Sequence, residues 1–196
     1  MSIRVIAGSA KGKQLKLVPG DSTRPIMDRV KEALFNIIGR DIYDALVCDL
    51  FAGTGSVGIE ALSRGARQAW FYDLDRKAIE TIHTNLTLTK LTEKASVRRA
   101  DAFALLKQPP AAQFTLIYVA PPQYKEMWSK ILQLLDEEAA WTPKGTTVIA
   151  QIDPGEQATL TLKRLHLYDE RKYGNTLLLF YEAVPPTPDD TQAASS

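Results

Sequence analysis

The sequence predicts an α/β protein whose sheet is mostly parallel. From residue 45 onwards, apolar strand patterns alternate with helical patterns, and such alternation produces parallel strands. The first of these strands, residues 45–51, also runs directly into the glycine-rich turn GTGSVG at residues 53–58, which opens a helical pattern. This order of strand, turn and helix is typical of α/β proteins that hold a nucleotide-like cofactor at the carboxyl end of a strand.

Before the sheet, the pattern predicts a small hairpin of residues 3–7 with 14–18, and then a helix over about 26–38. Residues 1–40 contain eight Lys and Arg against three Asp and Glu, whereas the whole chain has a net charge of +1. Lys11 and Lys13 flank Gly12 in a turn-like stretch that suits phosphate contact. This concentration of charge favours nucleic-acid contact over the alternative, an ordinary solvated surface.

The sheet region is predicted to continue through alternating elements. The strands are expected at 45–51, 68–72, 95–100, 113–119 and 146–152, and the helices at 57–64, 76–89, 103–107 and 125–140. Two further strands, 160–168 and 176–183, have no helix between them, which predicts a hairpin at the sheet edge around Gly174. Residues 185–196 are too polar to pack and are predicted to be disordered.

Composition excludes several classes of protein. No apolar run is long enough to span a bilayer and no signal-peptide pattern is present, so we expect a cytoplasmic protein. The lone cysteine, Cys48, lies within the apolar first strand, where a thiol acts as a small hydrophobe and forms no internal disulfide. His83 and His166 are far apart and have no cysteine partner, so no zinc site is expected.

The glycine turn and the acids around it indicate which cofactor is bound. Gly53 and Gly55 permit positive φ and close approach of a ligand, and Gly58 permits close packing of the helix on the sheet, although an ordinary glycine-rich turn is the alternative. Asp49 would repel a pyrophosphate but attract the ammonium of a methionine moiety. This favours S-adenosylmethionine over a dinucleotide.

Two more acids follow separate predicted strands. Asp73 lies 20 residues after Gly53, the spacing of an acid that accepts from ribose hydroxyls, and Leu74 is suited to cover adenine. Asp101 is suited to accept from the adenine amine, although each acid alone is also a candidate helix N-cap or turn residue. The predicted cofactor-binding residues are Asp49, Phe51, Gly53, Thr54, Gly55, Gly58, Asp73, Leu74, Asp101 and Ala102.

A diproline loop is the candidate catalytic segment. It follows the strand at 113–119 and therefore lies at the same sheet edge as the glycine turn. Two prolines fix the backbone and leave carbonyl acceptors for a flat amino group, while an aromatic residue stacks on its ring. A plain loop ending a strand is the alternative. The predicted catalytic residues are Ala120, Pro121, Pro122, Gln123 and Tyr124.

These motifs together resemble one family. The segments RVIAGSAKGKQLKLVPGDSTRPIMDRVKEALFNIIG, DLFAGTGSVGIEALSRGA, FYDLDRKAIETIHTNL, RADAF and KYGNTLLLFY, with the diproline loop, are similar to class I S-adenosylmethionine-dependent methyltransferases of the RsmD type over residues 3 to about 183. The resemblance implies a Rossmann-like fold with a seven-stranded, mostly parallel sheet and an antiparallel last strand. It also implies methylation of the exocyclic N2 of a guanine in bacterial 16S ribosomal RNA.

The resemblance also implies that different segments of the chain have different functions. Residues 1–40 would form the basic, RNA-facing extension, 41–184 the methyltransferase domain, and 185–196 a disordered tail. A monomer acting on ribosomal RNA or on a small-subunit assembly particle is expected. The predicted RNA-binding residues are Lys11, Lys13, Arg24, Asp28 and Arg29.

The chain departs from the family pattern at the diproline loop. Ala120 stands where the family has Asp or Asn, and Gln123 precedes Tyr124 where the aromatic residue would stand; Ile26 and Met27 also replace small hydroxyl residues. We hypothesise that the Pro121 carbonyl and the Gln123 side chain supply the missing acceptor. The alternatives are an RNA-binding homologue without catalysis, or a methyltransferase for another amine on nucleic acid or protein.

Overall fold

The computed structural model describes residues 3–20, 25–123 and 126–185. Within these ranges the strands are β1 (Ile3–Arg4), β2 (Gln14–Leu15), β3 (Leu46–Asp49), β4 (Gln68–Asp73), β5 (Ala95–Arg99), β6 (Leu116–Val119), β7 (Thr147–Ile152), β8 (Leu165–Tyr173) and β9 (Thr176–Ala183). The α-helices are α1 (Asp28–Ile38), α2 (Ser56–Ser63), α3 (Arg76–Thr89), α4 (Ala102–Leu106) and α5 (Met127–Glu137). Short 3-10 turns occupy Gly39–Ile42, Thr92–Lys94 and Pro154–Glu156.

The main sheet has the predicted architecture. Its seven strands are ordered β5-β4-β3-β6-β7-β9-β8, and the first five of these are parallel. The last strand of the chain, β9, runs antiparallel to both β7 and β8. The order reverses beside β3, because the chain passes from β3 to β4 on one side and reaches β6 on the other. Ligands of open α/β sheets bind in the crevice at such a reversal.

Several strands are shorter than predicted, β1 and β2 most of all, and one strand is displaced. The strand expected at 160–168 runs instead from Leu165 to Tyr173, and residues 157–164 form the connection before it. The carboxylate of Asp136, at the end of α5, accepts hydrogen bonds from the backbone N–H groups of Lys163, Arg164 and Leu165 at 2.7–2.8 Å. This contact holds the chain at the end of α5, so pairing with β9 begins only at Leu165.

The two faces of the sheet carry separate cores. On one face, α1, α2, α3 and the N-terminal hairpin pack against alternate residues of the strands, such as Val47 and Phe71. On the other face, α4 and α5 pack against the intervening residues, such as Cys48 and Ile117. Burial raises the pKa of the Cys48 thiol, which agrees with its prediction as a small hydrophobe. In the part of the chain that the structure describes, no helix is long and apolar enough to cross a membrane.

The edges of the main sheet belong to β5 and β8. Both strands carry charged side chains near their carboxyl ends, with Arg98 and Arg99 on β5 and the run Asp169 to Lys172 on β8. The pairing of β8 with β9 also shifts register between Leu167 and Asp169.

Three hydrogen bonds attach the N-terminal hairpin to Ser63, the last residue of α2. Ser63 accepts a hydrogen bond from the Ser9 N–H on its carbonyl and from the Ala10 N–H on its hydroxyl, and its hydroxyl donates to the Ala7 carbonyl. The approach is so close that a Cβ at Gly8, where φ is +84°, would lie 1.8 Å from the Ser63 carbonyl oxygen. Only glycine fits at that position.

Replacing Gly8 should therefore destabilise the protein more than replacing a glycine of the same conformation in open space. Gly12 has φ of +83°, and a Cβ there would meet none of the described atoms within 4 Å. We expect Gly8→Ala to lower the free energy of unfolding by more than about 2 kcal/mol and Gly12→Ala by about 1 kcal/mol, because only the first adds a backbone clash to the strain of positive φ. Urea denaturation measures both, and equal losses would contradict the proposed close contact.

Candidate cofactor and substrate site

The glycine turn between β3 and α2 has the conformation that the sequence predicts. Gly53 and Gly55 have φ of +53° and +77°, both in the left-handed region that favours glycine. The Gly55 N–H donates to the Ala52 carbonyl at 2.7 Å and closes the turn. A Cβ on Gly53 would meet nothing within 4 Å in the described part of the chain, so that side of the turn is open.

Gly58 allows α2 to approach the sheet closely. A Cβ at this position would lie 2.3 Å from a ring carbon of Phe71, which is fully buried on β4. Since both partners belong to the packed core, a larger residue would push the helix, and the turn before it, away from the sheet.

Asp49 ends β3 directly beneath the glycine turn. The residue is 1% exposed, and its Oδ1 has no hydrogen-bond partner among the described residues. Burial, and secondarily the charge of Asp73, raise the pKa of Asp49 to about 8, while the backbone N–H groups of Phe51 and Gly58 partly offset this rise. A buried carboxylate with an unsatisfied oxygen is costly unless a donor reaches it, so the site suits a cationic or hydrogen-bond-donating ligand.

Asp73 ends the neighbouring strand and touches the same turn. Its Oδ2 accepts from the Gly53 N–H at 2.8 Å and its Oδ1 accepts from the Asp75 N–H at 2.9 Å. Each carboxylate oxygen has a further lone pair for a ligand hydroxyl. Leu74, which follows, is 57% exposed, and its carbonyl accepts from the Arg99 Nε at 2.8 Å.

Asp101 serves as the N-cap of α4. Its Oδ1 accepts from the Ala104 N–H at 2.9 Å, so the capping alternative is found here, although the bond uses only one of the two carboxylate oxygens. Ala102, the next residue, is buried. In the segment of the glycine turn, Phe51 is partly buried and Thr54 is buried. The predicted cofactor residues thus follow the carboxyl ends of the adjacent strands β3, β4 and β5.

The diproline loop begins at the same edge. Tyr118 pairs with Asp49, and the Tyr118 carbonyl accepts from the Leu50 N–H at 3.1 Å, so β6 and β3 end side by side. Ala120 and Pro121 are partly buried, whereas Pro122 and Gln123 are exposed. The predicted catalytic residue Tyr124 lies outside the described residues.

A buried tyrosine supports this edge. The Tyr118 hydroxyl donates to the Oε1 of Gln151 on β7, and burial raises the Tyr118 pKa well above its usual range. Sequence reasoning missed Gln151, because a single glutamine within an apolar strand pattern carries no motif.

The predicted RNA-binding residues are divided between exposed and structural positions. Lys11, Lys13 and Arg29 are exposed, whereas Asp28 accepts from the Arg4 Nε at 3.0 Å and links α1 to β1. Arg24 lies outside the described residues. Of the departures from the family pattern, Ile26 is buried in the core and Met27 is 51% exposed.

Sequence reasoning also missed three buried polar residues close to the glycine turn. Lys31, Glu60 and Asn85 are each 0% exposed. The available signal was a polar residue on an otherwise apolar helix face, as for Asn85 beside Ile82 and Leu86. No group of three or more His, Cys, Asp or Glu side chains suited to a metal ion lies together among the described residues.

Comparison with known proteins gives consistent matches over the length of the chain. Residues 3–182 match the family described as Conserved hypothetical protein 95. YlbH of Bacillus subtilis (strain 168) is 40% identical over 182 residues, which cover 92% of this chain and 98% of YlbH. Ribosomal RNA small subunit methyltransferase D of Haemophilus influenzae is 36% identical over 137 residues, which cover 69% of this chain and 71% of the relative.

The fold also matches a solved structure. That of yhhF from Escherichia coli superposes with a TM-score of 0.83 at 28% identity, covering 93% of this chain and 98% of that chain. The similarity therefore includes the N-terminal segment as well as the main sheet.

The unusual environment of Asp49 predicts a pH dependence of stability. Folding raises the Asp49 pKa from 3.8 to about 8, so the folded protein binds more protons than the unfolded chain between these values. The contribution of Asp49 to the free energy of unfolding therefore falls as the pH rises through that range. We expect wild type to lose up to about 1.4 kcal/mol per pH unit relative to Asp49→Asn in this window. Urea denaturation at several pH values measures this difference, and parallel profiles of the two proteins would contradict it.

Proposed function

We propose that this chain, which belongs to the Conserved hypothetical protein 95 family, transfers a methyl group from S-adenosylmethionine to ribosomal RNA. Two observations support the activity. The Haemophilus influenzae relative is named as a methyltransferase of the small ribosomal subunit RNA. The buried Asp49 carboxylate, whose Oδ1 has no hydrogen-bond partner among the described residues, also lies at the reversal of the strand order, four residues before Gly53 and beside the strand that leads into the diproline loop.

The residues of the crevice fit this cofactor better than a dinucleotide. Among the described residues the Oδ1 of Asp49 lacks a donor; the methionine ammonium would supply one and would favour the ionised carboxyl, whose charge would repel a pyrophosphate. Asp73 has lone pairs for the ribose hydroxyls, the exposed Leu74 would cover the adenine, and Asp101 would accept from the adenine amine. Bound S-adenosylmethionine supplies an electrophilic methyl group on its sulfonium.

The diproline loop would hold the receiving amine. Since the donor is already activated, the protein contributes mainly by positioning the amine and excluding water. Ala120 has no side-chain acceptor, so the Pro121 carbonyl and the Gln123 side chain would accept the N–H groups of the amine. Gln123 is exposed beyond the end of β6, where its side chain can turn towards a bound base.

The finer assignment is the exocyclic N2 of a guanine in 16S ribosomal RNA, and it rests on the resemblance to the RsmD type. The substrate would be ribosomal RNA or a small-subunit assembly particle, and the protein would act as a cytoplasmic monomer. Residues 1–40 would form the RNA-facing extension and 41–184 the methyltransferase domain. Exposed Lys11, Lys13 and Arg29 suit contact with RNA phosphates.

Ala120 favours a second candidate, an RNA-binding protein that has lost catalysis. The two candidate functions differ in whether methylated RNA is formed. Purified protein incubated with S-adenosylmethionine and small-subunit RNA lacking the modification should form N2-methylguanosine, which nucleoside mass spectrometry detects. RNA binding without methyl incorporation would support the second candidate, and incorporation at another amine would refute the N2 assignment.

Cofactor binding should depend on Asp49. We expect S-adenosylhomocysteine, which retains the methionine ammonium, to bind wild type in a calorimetric titration and to bind Asp49→Asn roughly tenfold or more weakly, because a charge-assisted contact is lost. The control is Gln133→Ala, on the exposed face of α5, which should bind S-adenosylhomocysteine as wild type does. Asn85→Leu is not suitable as a control, because Asn85 donates a hydrogen bond to the Thr54 carbonyl in the glycine turn. Binding of NAD instead would refute the choice of cofactor.

Methyl transfer should depend on Gln123. We expect Gln123→Ala to lower kcat roughly 5- to 150-fold, the effect of losing about 1–3 kcal/mol of polar contact. Ala120→Asp should raise or preserve the rate, because it restores the acceptor of the family pattern. Gln133→Ala is the matched control for loss of an exposed glutamine. If Gln123→Ala matches wild type, the substitute-acceptor hypothesis is wrong.

A further inference from the structure

Two buried polar side chains connect the N-terminal hairpin directly to the glycine turn. They are Lys31 on α1 and Asn85 on α3, and both side chains are shielded from solvent. The great majority of buried polar groups in proteins are hydrogen-bonded. Their partners therefore show what they hold together.

Lys31 joins β1 to the first residue of α2. Its Nζ donates to the Arg4 carbonyl at 2.6 Å and to the Ser56 hydroxyl at 2.8 Å, and it lies 3.7 Å from the Oε2 of Glu60. These three partners match the three donors of an ammonium. Ser56 comes directly after Gly55 in the glycine turn, so Lys31 connects this part of the turn to the hairpin.

Asn85 joins Lys16, the residue directly after β2, to Thr54 in the glycine turn. Its Oδ1 accepts from the Lys16 N–H at 2.7 Å, and its Nδ2 donates to the Lys16 carbonyl at 3.0 Å and to the Thr54 carbonyl at 2.8 Å. The orientation of the amide is fixed by these partners, since an N–H requires the oxygen and two carbonyls require the nitrogen. Thr54 comes directly before Gly55.

The two links connect the two sides of the hairpin to the two neighbours of Gly55. Arg4 and Lys16 belong to the two sides of the hairpin whose connecting turn carries Lys11 and Lys13, and Thr54 and Ser56 flank Gly55. Attachment of the hairpin as such is already provided by Ser63 at the far end of α2. The links through Lys31 and Asn85 instead end on the segment that would meet the cofactor.

We propose that Lys31 and Asn85 are positioning residues that couple RNA contact at the hairpin to cofactor affinity at the glycine turn. The inference rests on the proposed function. RNA bound at the hairpin stabilises the observed arrangement, in which the backbone at Arg4 and Lys16 meets Lys31 and Asn85, and the same arrangement fixes the turn on which the cofactor lies. Because each ligand stabilises the same arrangement, each raises the affinity of the other by the same factor.

The coupling factor is measurable as a ratio of two affinities. S-adenosylhomocysteine is titrated calorimetrically into the protein alone and into the protein saturated with a 16S ribosomal RNA transcript. We expect the RNA to lower the Kd of wild type at least fivefold, within the usual range of coupling. In Lys31→Met and Asn85→Leu the ratio should fall towards one, whereas Lys130→Met, an exposed lysine of α5, should keep the wild-type ratio.

A merely structural role would not change this ratio, because a loss of stability affects both titrations of a folded variant alike. Wild type alone provides a second measurement in case the variants fail to fold: RNA without cofactor should slow hydrogen exchange at the amides of Gly55 and Ser56. Binding of both ligands with a ratio of one, or unchanged exchange, would overturn the coupling and leave the proposed function intact. Absence of any S-adenosylhomocysteine binding would overturn both.

Discussion

The N-terminal hairpin, α1 and α2 meet at one buried carboxylate. Glu60, on α2, accepts from the backbone N–H groups of Ile6 and Ala7 at 2.8 and 3.0 Å and from the Arg64 Nε at 2.7 Å, and it faces the ammonium of Lys31. Burial lowers the pKa of Lys31, and Glu60 opposes that shift most strongly. Because a buried charge is costly when alone, the hairpin, α1 and α2 must come together for Lys31 to be satisfied, whereas Glu60 also has Arg64 of its own helix as a partner. The segment that suits RNA contact is thereby built into the same core as the sheet.

The main sheet could be predicted because its signals are local and periodic. Helix Arg76–Thr89 and strand Thr176–Ala183 were expected at their observed bounds, since each pattern begins directly after a clear cap or turn residue, Asp75 for the helix and Asn175 for the strand. The strand at Leu165–Tyr173 was misplaced because its start is set by Asp136, a residue of another element. Local propensity carries no information about such a contact.

The same distinction applies to the site. The glycines and the acids at strand ends could be predicted, because each follows a strand at a recognisable spacing and parallel strands share one edge. Lys31, Glu60 and Asn85 could not be predicted, because their roles arise from hydrogen-bond partners 25 to 69 residues away in sequence. Asp73 shows both aspects, since the carboxylate expected to meet a ligand also holds the Gly53 N–H.

The two edges of the sheet have a consequence for the behaviour of the folded chain at high concentration. An outer strand exposes unpaired backbone groups that invite a strand from another molecule. Here Arg98 and Arg99 stand on β5, and β8 carries the run Asp169 to Lys172 beside its register shift. A strand from another molecule that paired with β5 or β8 would have to approach these charged side chains. On β8 it would also have to pair with an irregular backbone. The charged and irregular edge strands therefore disfavour aggregation through strand pairing between molecules.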